Sequence, residues 1–494
     1  MSAGTQVLPV AVIGAGPVGL AAAAHLLELG IEPMVLESAN TVGANLLDYG
    51  HVQLFSPWRY NLSAPMAKAL ERNGWNAPDL DELPLAADIV EHVLKPYAAL
   101  PEVSRCLRLG HRVLSISREG FDKVKSEGRA SAPYVIRVAT IDGETDIRAR
   151  AVIDASGTWT SPNPLGANGL PAIGEEEAAA QIHYGIPDVL GPAKSRYVGK
   201  RVLVVGAGHS AANALLALAA LAGQGGGTQL VWAVRGSNLA RVFGGGNADA
   251  LPARGRLGTE LRRLQENGRL ELVTDFRISA ISRRDGKLVV HALAADGRKQ
   301  HVDGVDEIIC ATGQRPDMSL TSELRVRFDP WLESAEALGP LIDPNLHSCG
   351  TVRPHGHREL SHPEQGFYTI GVKSYGRAPT FLMTTGFEQA RSVVAAISGD
   401  LEAADRVELV LPETGVCNSN LGDAGGSCCG VESPTSFTNE EPATVATIVG
   451  AAGCCGTPTP AATADAESAS AAGGCGTGAR GKPLSIAVKA KSCG

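Results

Sequence analysis

The chain has 494 residues, 44% of them hydrophobic, and a net charge of −8. That length allows two or three domains with large cores, and the acidic balance, with no long Lys/Arg block, argues against a nucleic-acid or membrane-surface partner. The longest apolar stretch, LLALAALAG, is short of the roughly 20 residues that span a bilayer, and MSAGTQVLPVAVIG lacks the charged start of a secretory leader. A cytoplasmic location is expected.

The first element in chain order is an apolar strand, Val7 to Ile13, running into Gly14, Gly16 and Gly19 in the pattern G-x-G-x-x-G. A helix, Leu20 to Leu29, follows behind Pro17, and Gly30 ends it. A second strand, Pro33 to Leu36, stops at Glu37. Gly14 permits the tight turn, Gly16 lets a pyrophosphate approach the backbone, and Gly19 lets helix and strand pack closely. Glu37, about 20 residues on, is placed to hold a ribose 2′-hydroxyl. The alternative for such a glycine run is a flexible turn, but strand, helix and acidic strand end all accompany it.

Next comes VIDASGTWTSPNPLG, Val152 to Gly166, an apolar strand followed by Gly, Ser and Pro. A second dinucleotide pattern follows in KRVLVVGAGHSAANALLALAAL. Strand Arg201 to Val205 enters Gly206 and Gly208, with His209, Ser210 and Ala211 opening the helix; Ala at the third glycine position is an accepted variant. The next strand, QLVWAVRG, ends at Arg235 instead of an acid. An arginine there pairs with a 2′-phosphate, so this site favours NADPH, with Arg241 able to share the role. The other reading of Arg235 is an ordinary strand-end arginine.

EIICATGQRPDM, Glu307 to Met318, repeats the style of the first crossover. The chain therefore leaves the first domain and returns to it. The expected fold class is α/β, with two Rossmann-like dinucleotide-binding domains. Residues 1–167 and 319–410 form an FAD-binding domain and 168–318 an inserted NADPH-binding domain. The last elements are a strand, Phe367 to Val372, and a helix from Met383 or Thr384 whose N-terminal dipole would face the flavin. Gly157, Gly313 and Gly371, in the crossovers and the final turn, are candidate cofactor contacts. Lys373, Tyr375 and Arg377, on that turn, are the catalytic candidates; a lysine there would stabilise charge on reduced flavin. The alternative for Lys373 and Arg377 is a solvated loop.

Together GAGPVGL with VLES, GKRVLVVGAGHSA and CATGQRPD resemble the class B flavoprotein monooxygenases, over roughly residues 8–400. The resemblance implies FAD at Gly14, Gly16, Gly19 and Glu37, with the Val113 backbone near the adenine. It implies NADPH at Gly206, Gly208, Ser210, Ala211 and Arg235. It also implies a small-molecule substrate and O2 as partners, with a flavin C4a-peroxide oxidising a soft nucleophile: sulfur, nitrogen or trivalent arsenic. Departures stand beside it. The family's Phe-x-Gly-x-x-x-His linker is reduced to His183 in EEEAAAQIHYGIPD, where a core or surface histidine is the plainer reading. Val42-Gly43-Ala44 replaces Gly-Gly-x-Trp, and Trp58 is either a flavin neighbour or a packing residue. The pyridine-nucleotide disulfide reductases share the architecture, but Cys106, Cys310 and Cys349 are each alone in the body. HYGIPDVLG, GVKSYGRAPTFLMTTGFEQARSVV and LPETGVC are similar to a branch found beside bacterial arsenic-resistance genes.

Beyond Pro412 the composition changes: no Trp or Tyr, one Phe, and Cys417, Cys428, Cys429, Cys454, Cys455, Cys475 and Cys493. Such a segment buries too little apolar surface to offset its ordering entropy, so residues 411–494 are expected to be a disordered Cys-rich tail. Cys417, Cys428, Cys429, Cys454 and Cys455 are candidate ligands for a soft metal or metalloid. Redox shuttling and no specific role are the alternatives. VRPHGHRELSH, Val352 to His362, reads as an exposed loop near the substrate entrance. Two further functions stay open: a reductase passing electrons through the tail thiols, and a metalloid-binding or sensing protein on a flavoprotein scaffold. The oligomeric state is not legible.

Overall fold

The residues flanking each glycine motif are the seeds of two parallel sheets. The computed structural model describes residues 7–243, 251–347 and 352–409, all within one compact unit, Met1–Ala424. The apolar run of the first motif becomes β1 (Val10–Ile13), buried at every position. Helix α1 (Pro17–Glu28) begins earlier than the pattern predicted, because Pro17 is pre-set for the first helical turn. Then come β2 (Pro33–Leu36) and β3 (Leu107–Arg108). Three antiparallel strands follow: β4 (Arg112–Arg118), β5 (Tyr134–Thr140) and β6 (Gly143–Ala149). Strand β7 (Ala151–Asp154) returns to the first sheet.

The chain then builds a second sheet from β8 (Ile182–Tyr184), β9 (Arg201–Val205), β10 (Gln229–Ala233) and β11 (Glu271–Val273). Helices α2 (His209–Gly223) and α3 (Pro252–Glu266) connect its strands. A second antiparallel trio, β12 (Arg277–Arg284), β13 (Lys287–Leu293) and β14 (Lys299–Val305), precedes β15 (Glu307–Cys310). Only then does β16 (Phe367–Thr369) complete the first sheet, followed by α4 (Met383–Ser398).

The first sheet has the order β16-β7-β1-β2-β3 and the second β11-β10-β9-β15-β8, every pair parallel. This is the α/β fold with two Rossmann-like units that the sequence predicted. We refer to the parts built on the two sheets as the first and second lobes. The last strand is shorter than predicted. It ends at Thr369 because Gly371, at φ +71°, turns the chain into a 3-10 segment, Gly371–Tyr375. The segment 411–494, with all its cysteines, lies outside the described residues.

The two crossovers run side by side. Pro162 and Gln314 form an antiparallel bridge. Asn163 N–H donates to the Gly313 carbonyl at 2.9 Å and its Nδ2 to the Thr312 carbonyl at 3.1 Å. Arg315 Nε donates to Asn163 Oδ1 at 2.9 Å. The second lobe is thus tethered by one short ribbon.

Candidate functional site

In the first cradle, Gly14 has φ +97°, and a Cβ there would meet the Ala155 carbonyl oxygen at 2.8 Å. A Cβ on Gly19 would lie 2.0 Å from the Gly14 carbonyl oxygen, so helix and strand touch backbone to backbone. Gly16 is different: a Cβ there would meet nothing within 4 Å. It is the N-cap of α1, and no side chain caps the helix. Unsatisfied N–H groups therefore face open space, which suits a pyrophosphate. Glu37 is buried and fixed: its carboxylate accepts from Ala15 N–H and Ala39 N–H, each at 2.8 Å. Oε1 also accepts from Ser38 Oγ at 3.2 Å, so it is Oε2 that keeps a lone pair for a ribose hydroxyl. The cradle fits the adenosine and pyrophosphate of FAD. Val113 is buried in β4, where the ladder with β5 slips between Val113 and Ser115.

The second cradle repeats this geometry. Gly206, at φ +137°, is pressed against Ala311, whose carbonyl oxygen would be 2.2 Å from an added Cβ. Gly208 caps α2 with open space before it and no capping side chain. Ala211 is buried at the position of the third glycine, His209 is exposed, and Ser210 is half-buried. Arg235 is exposed just beyond β10, with Nη1 donating to the Ala167 carbonyl at 3.3 Å. The side chain of Arg241 lies outside the described residues.

At the carboxyl edge of the first sheet, Gly157 has φ +76° and approaches Asn45 and Val372, whereas Gly371 packs on Val18 of α1. Gly313, at φ +85°, sits in the crossover ribbon against Asn163. The solvated-loop alternative for Lys373 needs correction here. Lys373 is 2% exposed, and its Nζ donates to Asp154 Oδ2 at 2.7 Å and Ser156 Oγ at 3.0 Å. It is a paired, buried cation, neither solvated nor open to a reacting group. Tyr375 is in the core, its ring against Phe381 and His355. Arg377 makes a bidentate pair with Glu333, both bonds 2.8 Å. The turn that carries them is locked by Gln389, which accepts from Gly371 N–H and donates to Ser374 Oγ. Helix α4 does begin at Met383, again with no side-chain cap.

The histidine tract also departs from expectation. His355 and His362 are buried, and His357 pairs with Asp405. Burial pushes His362 down to about 4, against the opposing hydrogen bond from Arg327 N–H. No group of His, Cys, Asp or Glu among the described residues is arranged to hold a metal. Trp58 is a core residue of the first lobe.

Where the lobes face each other, sequence reasoning found His209 of the second glycine motif and His183. His183 lies on β8, and burial, Arg196 and His51 hold its pKa below the ordinary histidine value. Around it the fold gathers residues no motif announced. Trp159, in the first crossover, stacks on Tyr49 with ring centroids 4.6 Å apart, and its indole N–H donates to Asp48 at 2.9 Å. Phe55 of the first lobe meets the His209 ring of the second at 5.0 Å. Apart from His209, which the second glycine motif carries, none has a periodic or spaced partner in the sequence, so no local signal marks the rest.

The free thiols Cys106 and Cys310 are both buried. Cys106 donates to the Glu102 carbonyl; Cys310 lies 3.1 Å from Thr312 Oγ1, and burial pushes its thiol up to about 12. Cys310 is therefore not a ready thiolate. Cys349 lies outside the described residues, as do the five tail cysteines proposed as metal ligands: Cys417, Cys428, Cys429, Cys454 and Cys455.

Residues 8–335 match the family model described as pyridine nucleotide-disulphide oxidoreductase. The chain belongs to that family. It is an oxidoreductase that works with FAD and NADPH. Comparison with curated protein sequences gives no match. Solved structures with the same fold include bacillithiol disulfide reductase Bdr from Bacillus cereus, with TM-score 0.58 and 18% identity over 80% of this chain and 99% of that one. DfoA, the cadaverine monooxygenase of desferrioxamine biosynthesis in Erwinia amylovora, has TM-score 0.58 and 14% identity over 84% of this chain and 100% of its own. The ornithine N-hydroxylase KtzI of Kutzneria has TM-score 0.53 and 15% identity over 80% and 99%. At such identities the likeness is one of fold, and it includes both a disulfide reductase and monooxygenases. Among the described residues no helix is long and apolar enough to cross a membrane.

Proposed function

We propose that this oxidoreductase is a monooxygenase that oxidises a soft nucleophile, sulfur, nitrogen or trivalent arsenic, with NADPH as reductant and O2 as co-substrate. One observation carries the reading. The described residues hold no cysteine pair, and their two thiols are buried, hydrogen-bonded and apart in the sequence. A reductase of the family's standard design needs a dithiol beside the flavin; with none among the described residues, this reading gives the electrons from NADPH to O2. Bound FAD would supply the redox and oxygen chemistry. The chain's own work is to bind and orient. Gly16 and the α1 N-terminus hold the pyrophosphate, Glu37 holds the ribose, Gly208 and Arg235 hold the nicotinamide dinucleotide, and the locked turn at Gly371 shapes the floor of the site. The domain limits 1–167 with 319–410, and 168–318, are part of this proposal.

The test pairs NADPH oxidation with O2 uptake and hydrogen peroxide release, using a thiol, a primary amine and arsenite as candidate substrates. The proposal expects one of them to suppress peroxide release while O2 uptake continues and an oxygenated product accumulates. Turnover that runs anaerobically on a disulfide, with no oxygenated product from any of the three, overturns it.

A second reading is favoured by the family match itself. Electrons leave through the tail cysteines to a disulfide or a metalloid. Deleting residues 413–494 separates the two: the reductase loses turnover, whereas the monooxygenase retains both flavin reduction and O2 uptake.

A further inference from the structure

Trp159 occupies a place where three parts of the chain meet. It belongs to the first crossover. Its ring rests on Tyr49, and its N–H is held by Asp48, both in the loop region after β2 of the first lobe. Its other contact is with Gly185, directly after β8, the edge strand of the second sheet. Gly185 has φ +102°, where side chains are strained, and a Cβ there would come within 3.2 Å of two indole carbons. The glycine therefore does two things: it turns the chain off the edge strand and leaves room for the indole. A hydrogen bond on one side and a missing side chain on the other fix one ring between two lobes.

We infer that Trp159 is a positioning residue for hydride transfer: held by Asp48 and seated against Gly185, it sets how the nicotinamide cradle of the second lobe faces the flavin cradle of the first. The step it serves moves one hydride, two electrons with one proton, from NADPH to FAD, leaving NADP+ and reduced flavin. This inference rests on the FAD and NADPH assignment alone. It holds whether the reduced enzyme then uses O2 or a disulfide. Phe55 against His209 is a second contact between the lobes, but His209 opens a cofactor helix, so Trp159 and Asp48 give the cleaner test.

The experiment is anaerobic rapid mixing of the FAD-loaded protein with NADPH, so a failure of the oxygenation reading does not touch it. W159A and D48A are expected to lower the limiting rate of flavin reduction at least about tenfold while the Kd for NADPH moves less than about threefold, since misplacement of about 1 Å is costly to the chemistry but not to binding. D48N keeps an acceptor for the indole N–H and should recover the rate to within about threefold of wild type. Hydrogen exchange on the same holoproteins should rise at residues 184–186 in W159A. Rates in W159A and D48A within about twofold of wild type would overturn the inference, as would a loss confined to NADPH affinity. If W159A does not retain FAD, the contrast between D48A and D48N decides alone: equal slowing in both overturns it.

Discussion

Lys373 Nζ lies 2.7 Å from Asp154 Oδ2, with Lys373 2% exposed and Asp154 fully buried. Asp154 ends β7, and Lys373 sits on the turn after β16, so the pair ties together neighbouring strand ends at the carboxyl edge of the first sheet. Burying two charges costs solvation on both, and the attraction offsets that only while both partners are present.

Removing one partner strands the other. K373M or D154N is expected to lower stability by about 3–5 kcal/mol. The double variant K373M/D154L, with no charge left, should recover much of the loss. Thermal unfolding of the three FAD-loaded proteins checks this; a double variant as unstable as the sum of the singles contradicts it.

The glycines of the first motif should separate by experiment. A Cβ on Gly19 meets backbone at 2.0 Å, and one on Gly16 meets nothing. G19A is therefore expected to destabilise the fold itself. G16V should change stability by no more than about 1 kcal/mol, yet lose FAD affinity at least about tenfold as its side chain fills the pyrophosphate space. Equilibrium flavin binding and thermal unfolding, measured together, tell the two apart.

Arg235 gives a test of cofactor choice. Hydrogen bonds to charged groups contribute about 1.5–3 kcal/mol, so R235A should reduce kcat/KM for NADPH about tenfold or more and leave NADH little changed. A parallel loss with both nucleotides would mean that Arg235 does not read the 2′-phosphate.

Stability should depend on pH below neutrality. His25 and His362 both have folded-state pKa values of about 4, lowered from 6.5 chiefly by burial. The unfolded chain therefore binds protons that the folded chain refuses. The stabilisation is complete above about 6.5 and is lost as pH falls towards 4, by up to a few kcal/mol. Unfolding midpoints between pH 7 and pH 4 should fall, and H362Q should flatten part of the slope. A midpoint independent of pH across that range contradicts the assignment.

The two cradles were legible because their chemistry is local: a strand, three small residues at fixed spacing and a helix occupy consecutive positions. The strand-end positions of Glu37 and Arg235 were readable for the same reason. The surroundings of the Gly371–Tyr375 turn were not. Nothing near Lys373 in the sequence announces Asp154, more than 200 positions away, whose carboxylate turns a candidate catalytic cation into a buried pair. The histidines of Val352–His362 misled in the same way, since their burial involves distant residues: Gln389 against His355 and Phe328 against His362. The Trp159–Gly185 seat needed two elements brought together by tertiary folding.

The first lobe starts the chain but does not finish until β16 and α4 are made, whereas the second sheet is assembled entirely from 182–310. On a ribosome that delivers the chain from its N-terminus, the inner part is complete first. The outer part waits with β1, β2 and β7 aligned and one edge open for Phe367–Thr369. That open edge is the place where a chaperone, or a neighbouring nascent chain, would find this protein unfinished.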